Sequence, residues 1–273
     1  MLLITGRKGQ LGTTLSQLLP TALCTDIEEL DITDPLAVQK FVEENNIDAI
    51  VNCAAYTNVD KAEDEPDLAY KVNVIGAKNL AATGRKMIHI STDYVFDGQK
   101  TTPYLPTDPP NPLNVYGKTK WQGELEVLKN PLAVIIRTSW LYSPYGKNFV
   151  KTMLQRGRTR DKISVVNDQI GSPTCAHDLA TAIKDILPQI SDSTAVIYHY
   201  TNDGQCSCYE FAKTITEIAN LPCKVIPVST KEFPTTAIRP RYSVLDKATT
   251  RNIINQEILT WEDSIKEWIP RFF

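Results

Sequence analysis

Short apolar runs alternate with longer amphipathic segments through the first half of the chain. Each apolar run has the length and the continuous hydrophobicity of a strand that is buried on both faces. The runs are residues 1–5, 22–26, 47–52, 87–92 and 133–137. The segments between them predict helices up to Leu19, at 35–45, at 67–83 and around Tyr116. This alternation predicts an α/β fold with a doubly wound parallel sheet.

Beyond Trp140 the alternation weakens, and the pattern predicts a smaller C-terminal lobe. Helices are expected at 149–156, from residue 176, at 207–219 and after Trp261, with strands at 162–166, 195–200 and 224–227. We expect a large domain formed by residues 1–140 and about 160–200. The smaller lobe then consists of about 141–159 and 201–273, and it packs over the carboxyl edge of the sheet to close a cleft.

Composition is that of an ordinary globular protein and excludes several classes of partner. Of the 273 residues, 42% are apolar and 22% are charged, and the formal net charge is −3. Because the basic side chains form no stripe, neither nucleic acid nor a membrane surface is an expected partner. No apolar run has the length of a membrane span, and the start lacks the basic flank of a signal peptide, so we expect a cytoplasmic protein.

The cysteine and histidine pattern does not predict a metal site. Six cysteines are scattered along the chain, only Cys206 and Cys208 are close together, and the three histidines are far apart. Zinc sites usually show a C-x-x-C or a comparable histidine spacing, and neither occurs here. We therefore expect buried thiols of a reducing compartment.

Three glycines follow the first predicted strand with the spacing G-x-x-G-x-x-G. Gly6, Gly9 and Gly12 stand directly before an amphipathic segment, in the order of a strand, a tight turn and a helix. Glycine lets the backbone approach a ligand closely, and the N-terminus of a helix directs free N–H groups at a diphosphate. Asp26 ends the second apolar run, where a ribose hydroxyl needs an acceptor. Although glycines also serve plain turns, this context predicts a Rossmann-type dinucleotide-binding domain, which leaves the smaller lobe to bind the substrate.

A tyrosine and a lysine four residues apart form the second candidate site. Tyr116 and Lys120 share one face of a predicted helix, downstream of a strand that ends at Thr92. An unperturbed tyrosine has a pKa near 10 and is a poor acid–base group at neutral pH. We expect the Lys120 ammonium, together with a cofactor hydroxyl, to lower the pKa of Tyr116 by about three units, which needs about 4 kcal/mol. Taken alone, the same spacing is more often a surface helix face.

Longer motifs resemble the extended short-chain dehydrogenase/reductases. The matching stretches are residues 6–12, 52–63, 91–97, 112–120, 137–140, 167–173 and 239–246. Within them, the strings S-T-D-Y-V-F and N-D-Q-I-G-S-P are far more specific than the glycines. The resemblance implies an NAD(P)H-dependent oxidoreductase of dTDP-rhamnose and polysaccharide biosynthesis, which reduces the C4 ketone of dTDP-4-dehydro-L-rhamnose.

The resemblance also implies roles for individual residues. Tyr116 would be the proton donor, Lys120 its electrostatic partner and a ribose ligand, and Thr92 a hydrogen-bond donor to the C4 oxygen. The residues expected along the cofactor are Gly6, Gly9, Gln10, Leu11, Gly12, Asp26, Asp31, Ile32, Ala55, Tyr56, Thr57, Tyr116 and Lys120. The residues expected at the sugar nucleotide are Val59, Asp60, Thr92, Asp93 and Trp140.

Two features of the sequence limit what the resemblance implies. Some family members pair through magnesium held by glutamates, one of them just past the glycine turn, where this chain has Thr13 and Thr14. We therefore predict no metal and expect a monomer or a homodimer. Asp26 repels a 2′-phosphate and favours NADH, whereas Arg7 and Lys8 attract one. We expect both NADPH and NADH to function, with NADPH slightly preferred.

Rival functions stay open at this point. A different nucleotide-linked 4-keto sugar, or an epimerase reaction, fits the same motifs. A dehydratase of this family typically has a glutamate after Asp93, and this chain has Tyr94 there. A related protein is a non-catalytic, NADP-binding regulatory subunit of methionine adenosyltransferase, and a protein of that kind would not need Thr92, Tyr116 and Lys120 together.

The roles of three further residues are less specific: two arginines each have a functional and a structural interpretation, and one histidine has a structural interpretation only. Arg239 and Arg241 flank Pro240 and are either surface charges or a grip on the substrate diphosphate. His89 lies in the middle of a predicted strand between Ile88 and Ile90, and we expect a core residue whose ring nitrogens are hydrogen-bonded.

Overall fold

Six parallel strands form the central sheet of the structure, a computed structural model that describes residues 1–191 and 195–273. Residues 192–194, which belong to the predicted segment 160–200, lie outside the described residues. In chain order, the strands of this sheet and of the smaller sheets among the described residues are β1 (Leu2–Thr5), β2 (Leu23–Thr25), β3 (Ala49–Asn52), β4 (Lys86–Thr92), β5 (Ala133–Thr138), β6 (Leu141–Tyr142), β7 (Lys162–Val166), β8 (Ile170–Gly171), β9 (Thr174–Cys175), β10 (Val196–His199), β11 (Cys206–Ser207) and β12 (Lys224–Val228).

The helices cover both faces of the sheet and build the second lobe. They are α1 (Gln10–Leu18), α2 (Pro35–Glu44), α3 (Val59–Asp64), α4 (Pro66–Tyr70), α5 (Ala77–Ala81), α6 (Val115–Val127), α7 (Phe149–Thr159), α8 (Ala176–Ile186), α9 (Cys208–Ile218), α10 (Ala248–Arg251) and α11 (Trp261–Trp268). None of the helices in the described ranges is both long and apolar enough to cross a lipid bilayer.

The strand order of the central sheet is β10-β5-β4-β3-β1-β2, and every pair is parallel. The chain moves from β1 outward to β2, then returns to the other side of β1 and proceeds through β3, β4 and β5. This reversal opens a crevice at the carboxyl ends of β1 and β3, which is where sheets of this type bind ligands. The predicted doubly wound parallel sheet is confirmed.

Alternate side chains of the strands pack into two separate apolar cores, as the period of two along a strand requires. In β1, Leu3 faces α2 and α5, whereas Ile4 faces α1 and α8. The same division recurs in β5, where Ile135 lies on the first side and Ile136 on the second. All four side chains are fully buried, which explains why each strand is a continuous apolar run.

A third core belongs to the smaller lobe and includes a segment that the sequence assigned elsewhere. β7 and β12 pair in parallel as a separate two-stranded sheet. Ile163 and Val165 of β7 pack with side chains of α7, α9 and α11. The prediction of a strand at 162–166 is confirmed, but its placement within the large domain differs from the structure. The rest of the predicted domain division stays a prediction.

The predicted helix at 67–83 is divided into three parts. Between α4 and α5, residues Lys71–Gly76 form a π-helical turn. Such a turn inserts one extra residue into a helix and is frequent at functional sites. Here it brings the buried Asn73 to the side that faces α6. The amphipathic pattern of the sequence contains no signal that separates this turn from a regular helix.

Candidate active site

A cavity of about 1100 Å³ lies at the carboxyl ends of the central strands. One wall consists of the turns after β1, β3, β4 and β5, and the opposite wall consists of side chains from the second lobe. Pockets for a single small ligand usually have up to about 1000 Å³, so this cavity has room for a large ligand or for two. All predicted site residues except Tyr56 and Asp60 line it.

The glycine turn forms the floor of the cavity at the start of α1. Gly6 has φ of +69°, and a Cβ on Gly12 would lie 2.1 Å from the Gly6 carbonyl oxygen, so a side chain is excluded at both positions. Gly9 is the N-cap residue of α1, and in the described structure no side-chain hydrogen bond caps the helix there. The first N–H groups of a helix have no partner inside the helix, so those of Gln10 and Leu11 are available to an anion.

The side chain of Gln10 connects α1 to the loop that follows β6. Its amide nitrogen donates to the carbonyl oxygen of Leu141 at 3.2 Å, and its amide oxygen accepts from Ser143 at 3.1 Å and from Asn148 at 3.0 Å. Asn148 also caps α7. The side chain of Gln10 is therefore engaged within the protein and joins the two walls, which leaves its backbone N–H as the group available to a ligand.

Acidic and basic side chains are paired at the end of β2. The Asp26 carboxylate accepts hydrogen bonds from the backbone N–H groups of Lys8 and Ile27, both at 2.9 Å. Arg7 forms an ion pair with Glu29, and Lys8 forms one with Glu28. Three carboxylates thus surround two cations where the adenosine ribose is expected. The further predicted residues Asp31 and Ile32 follow along the same wall, and a hydrogen bond from Thr33 lowers the pKa of Asp31.

The turn after β3 continues this wall. Ala55, Thr57 and Val59 line the cavity, whereas the phenol of Tyr56 points away and donates to Glu65 at 2.6 Å. Asn73 of the π-helical turn binds both backbone groups of Tyr56, at 2.8 Å and 3.2 Å. Tyr56 itself does not line the cavity, and its predicted contact with the cofactor stays a prediction.

Asp60 differs from the prediction because an arginine of the second lobe binds it. Both carboxylate oxygens of Asp60 accept from the Arg239 guanidinium, at 3.1 Å and 2.7 Å. Arg239 lines the cavity, and its ion pair lowers the pKa of Asp60. A bidentate pair of this kind is geometrically specific. Asp60 therefore orients Arg239, and Arg239 rather than Asp60 lines the cavity.

Tyr116 and Thr92 come from two elements that pack closely. A Cβ on Gly117 would lie 2.1 Å from the carbonyl oxygen of Tyr94, so the start of α6 rests directly on the turn after β4. Asn114 caps α6 by accepting from the Gly117 N–H at 2.8 Å. Both arrangements fix the half-buried Tyr116 beside Thr92 at the cavity wall.

Burial dominates the electrostatics of the residues after β4. It raises the pKa of Tyr116 to about 12, with a smaller opposing effect from a Thr92 hydrogen bond. Burial also raises the pKa of Asp93 to about 7. Asp93 is 2% exposed; its Oδ1 accepts from the Thr92 hydroxyl at 3.1 Å, and its Oδ2 has no hydrogen-bond partner among the described residues. Such a carboxyl is easily kept neutral.

Lys120 lies deeper than the prediction requires. Its Nζ donates to the carbonyl oxygen of Ile90 at 2.6 Å and lies 3.3 Å from Nε2 of His89. Burial lowers the pKa of Lys120 to about 8. In the described part of the chain no hydrogen bond joins Nζ to Tyr116, and Lys120 is not among the groups that shift the pKa of Tyr116. Among the protein groups Lys120 does not lower the pKa of Tyr116, and the predicted lowering, which includes a cofactor hydroxyl, stays a prediction.

Trp140 follows β5 with a backbone conformation that is rare for a bulky residue. Its φ is +47°, in the left-handed region, and its indole packs against Gly171. For a bulky residue this conformation is strained, and such strain is enriched at functional sites, where the surrounding structure stabilises it. Trp140 lines the cavity, as predicted for a residue that contacts the sugar nucleotide.

The second lobe contributes cavity residues that the sequence did not reveal. These side chains come from α7, α9 and the loop after β12: Phe149, Met153, Arg156, Phe211, Phe233 and Thr235. Phe233 is 44% exposed although it is a large apolar side chain. No motif or spacing marked any of them, because their closeness depends on how the second lobe packs. Within the described ranges no group of three or more potential metal ligands is clustered.

Comparison with known proteins gives full-length matches. The family model described as the RmlD substrate binding domain matches residues 1–273. The dTDP-4-dehydrorhamnose reductase of Aggregatibacter actinomycetemcomitans is 41% identical over 285 residues, which cover 97% of each chain. Among solved structures, the dTDP-4-dehydrorhamnose reductase of Bacillus anthracis str. Ames in complex with NADP is 43% identical, with a TM-score of 0.94 and 98% of both chains covered. The structure of the dTDP-4-dehydrorhamnose reductase of Clostridium acetobutylicum is also 43% identical, with a TM-score of 0.93 and 98% of both chains covered.

Proposed function

The chain belongs to the RmlD substrate binding domain family, and from this membership we propose that it reduces the C4 ketone of dTDP-4-dehydro-L-rhamnose to dTDP-L-rhamnose. The predicted family is confirmed by the full-length match, and the chain is an NAD(P)H-dependent oxidoreductase. The observation that carries the proposal for the site is the cavity of about 1100 Å³ in which the glycine turn, Thr92, Tyr116 and Lys120 meet.

The residues around the glycine turn fit a dinucleotide. A side chain is sterically excluded at Gly6 and Gly12, and the first N–H groups of α1 face the same space. We assign the diphosphate to Gly9, Gln10 and Leu11, and the adenosine to Asp26, Asp31 and Ile32. The reduced nicotinamide, when bound, supplies the hydride; the protein binds, orients and polarises.

Tyr116 acts as the proton donor to the C4 oxygen. A general acid must carry its proton before the reaction, and a phenol with a pKa near 12 does so throughout the neutral range. Negative charge that develops on the C4 oxygen makes that oxygen a stronger base than the phenolate. No lowering of the Tyr116 pKa is then needed for donation, and the raised value supports the role.

Thr92 donates a hydrogen bond to the same oxygen. Its hydroxyl carries one proton, which it shares with Asp93 in the structure. When Thr92 turns to the substrate, Asp93 loses that partner, and its pKa near 7 lets it hold a proton of its own. Two donors aimed at the developing oxyanion form a small oxyanion site.

The remainder of the sugar nucleotide lies against the second lobe. We assign the sugar to Val59, Asp93 and Trp140, which line the cavity together. Arg239 takes the place that the sequence gave to Asp60, and its guanidinium faces the cavity from the Asp60 ion pair. Asp60 then orients Arg239 and does not itself touch the substrate.

The pairing at the end of β2 bears on the choice of cofactor. The expected slight preference for NADPH assumes that Arg7 and Lys8 are free to bind a 2′-phosphate. Both are engaged with glutamates beside Asp26, which weakens that assumption. We propose that both cofactors function. A monomer or homodimer and a cytoplasmic location stay predictions.

A coupled assay tests the function. Upstream enzymes generate dTDP-4-dehydro-L-rhamnose, and absorbance of the reduced nicotinamide is followed with NADPH or with NADH. We expect oxidation that Tyr116→Phe abolishes while cofactor affinity, measured by fluorescence, stays nearly intact. Tyr70→Phe, a half-exposed phenol on α4, is the matched control.

The outcomes separate the rival functions. Turnover only with a differently linked 4-keto sugar would replace the substrate. Binding of NADP without turnover of any such sugar would favour the regulatory-subunit alternative. Full activity in Tyr116→Phe would remove the phenol from the mechanism.

A further inference from the structure

A chain of buried polar groups crosses the sheet and ends at Lys120. Thr5 of β1 donates from its hydroxyl to Oδ1 of Asn52 at 2.7 Å. Asn52 of β3 places its Nδ2 3.0 Å from Nδ1 of His89, and His89 of β4 places its Nε2 3.3 Å from Nζ of Lys120. Each of these four residues is at most 2% exposed. A buried network of this kind permits few arrangements of its protons.

The backbone fixes the first link of this chain. The N–H of Ala54 donates to Oδ1 of Asn52 at 3.1 Å, and a backbone N–H has no other role than donor. The atom of Asn52 that faces Ala54 and Thr5 is therefore the oxygen, and the atom that faces His89 is the NH₂ group. Exchanging the two atoms would set N–H against N–H at Ala54.

The orientation of Asn52 determines the tautomer of His89. Nδ1 must accept from the Asn52 amide, so the single proton of the neutral ring is on Nε2. Burial and the neighbouring Lys120 hold the pKa of His89 well below its usual value, so the doubly protonated ring is excluded. The Nε2–H group then points at Nζ of Lys120.

An N–H group that points at Nζ can bond only to the lone pair of a neutral amine. Nζ still has protons of its own, and it donates one to the carbonyl oxygen of Ile90 at 2.6 Å. Resting on the proposed function, which brings Lys120 and Tyr116 to one cavity, we propose that His89 is a positioning residue whose Nε2–H group donates to Nζ of Lys120 and so favours the neutral amine over the ammonium. The ammonium, in contrast, would face a donor at 3.3 Å.

The other groups around Lys120 either raise its pKa or do not change it. Glu124, one helical turn further along α6, raises the pKa of Lys120, but its carboxylate is bound at both oxygens by Arg137 of β5. Cys53, from the turn after β3, also raises it, although burial raises the pKa of the thiol itself far above neutral pH. Tyr116, on the same face of α6, stays protonated. The balance leaves the pKa of Lys120 at about 8.

The consequence is a lysine whose charge depends on pH just above neutrality. A lysine with an ordinary pKa carries its proton throughout this range, whereas Lys120, with a pKa of about 8, loses it progressively as the pH rises from about 7 to about 9. His89 thus sets the pH above which Lys120 is uncharged in the resting protein.

Nuclear magnetic resonance on the full chain tests this without any need for turnover. With ¹⁵N-labelled histidine, the two ring nitrogens of His89 report the tautomer, and labelled lysine reports the titration of Lys120. We expect the Nε2–H tautomer and a Lys120 pKa near 8. In His89→Leu we expect that pKa to rise by about one unit, because the neutral amine loses its donor. His199→Leu, another buried strand histidine, is the control and should leave the Lys120 pKa unchanged.

The sign of the shift decides between the two arrangements. If Nε2 instead accepts from the ammonium, His89→Leu lowers the Lys120 pKa, and the inference is overturned. An Nδ1–H tautomer in the unaltered protein overturns it as well, and that measurement stands even if His89→Leu does not fold. If no oxidation is seen in the coupled assay while the Nε2–H tautomer is observed, the proposed function is refuted and the arrangement at His89 is retained.

Discussion

Replacing Asp93 by asparagine should change how the stability of the protein depends on pH. Asp93 is 2% exposed, and burial raises its pKa from 3.8 to about 7. Asparagine has nearly the same shape, keeps an oxygen for the Thr92 hydroxyl and cannot ionise. The substitution therefore removes the titration and retains most of the packing.

The sign follows from proton linkage. A carboxyl whose pKa is raised on folding stabilises the native state below its unfolded pKa, and this contribution disappears as the pH rises through the folded pKa. At pH 8 the native protein carries the full cost of a buried carboxylate. At pH 5 Asp93 is protonated in the native state and ionised in the unfolded chain. With a native pKa of about 7 and about 1.36 kcal/mol per unit, the Asp93 contribution should grow by about 2–3 kcal/mol from pH 8 to pH 5.

Urea unfolding of both proteins at pH 5 and pH 8 measures this contribution. The asparagine amide adds a donor near Oδ2, which has no partner among the described groups, and this cost of about 1–3 kcal/mol is the same at both pH values. The informative quantity is therefore the change with pH of the difference between the two proteins. Asp97→Asn is the control: burial raises the pKa of Asp97, but its hydrogen bonds together outweigh burial and lower it, so loss of this carboxylate should destabilise the protein most at high pH. A difference between wild type and Asp93→Asn that is equal at pH 5 and pH 8 would refute the raised pKa.

Three further predictions concern the ion pairs and the glycine turn. Glu28→Gln combined with Glu29→Gln should raise the ratio of kcat/KM for NADPH to that for NADH several-fold, because Arg7 and Lys8 become available to a 2′-phosphate; steady-state assays with both cofactors measure it. Glu124→Gln should cost about 3–5 kcal/mol in urea unfolding, because Arg137 stays buried without its carboxylate, whereas Glu126→Gln in an exposed pair should cost under about 1 kcal/mol. Gly12→Ala should abolish binding of both cofactors in a fluorescence titration, since its Cβ would lie 2.1 Å from a backbone oxygen, while Gly9→Ala, where the nearest atom is 3.2 Å away, should retain weaker binding.

Distinct results would contradict each of these. An unchanged cofactor ratio would show that the glutamates do not occupy the two cations in solution. A loss in Glu124→Gln no larger than in Glu126→Gln would mean that the buried pair is worth little more than an exposed one. Equal cofactor affinity in Gly12→Ala and Gly9→Ala would contradict the close approach at the turn.

Elements with strong local signals were predicted from the sequence. Asp34 and Pro35 begin α2 where expected, and Asp34 accepts from the N–H groups of the first turn. The strand predicted at 162–166 has the observed bounds. Its partner could not be predicted, because parallel pairing between β7 and β12 depends on contacts across about sixty residues of chain, for which hydrophobic period carries no information.

The candidate site shows the same division. Gly6, Gly12, Thr92 and Tyr116 occur in short motifs tied to one turn or one helix face, and each lies at the cavity. Spacing along α6 placed Lys120 on the same face as Tyr116, but the direction of its side chain depends on His89 and Ile90 of the neighbouring strand. The same holds for Asp60, whose partner Arg239 is far away in sequence. Pairs of this kind are decided by tertiary packing.

The π-helical turn at Lys71–Gly76 has a consequence for the length of this region. Asn73 binds both backbone groups of Tyr56 and the hydroxyl of Thr119 on α6. Deleting one residue from the turn would restore a regular helix and rotate Asn73 by about 100° away from both partners. Insertions and deletions should therefore be tolerated in the surface loops of related chains but not within this helix, because its residue count is coupled to the turn after β3 on one side and to α6 on the other.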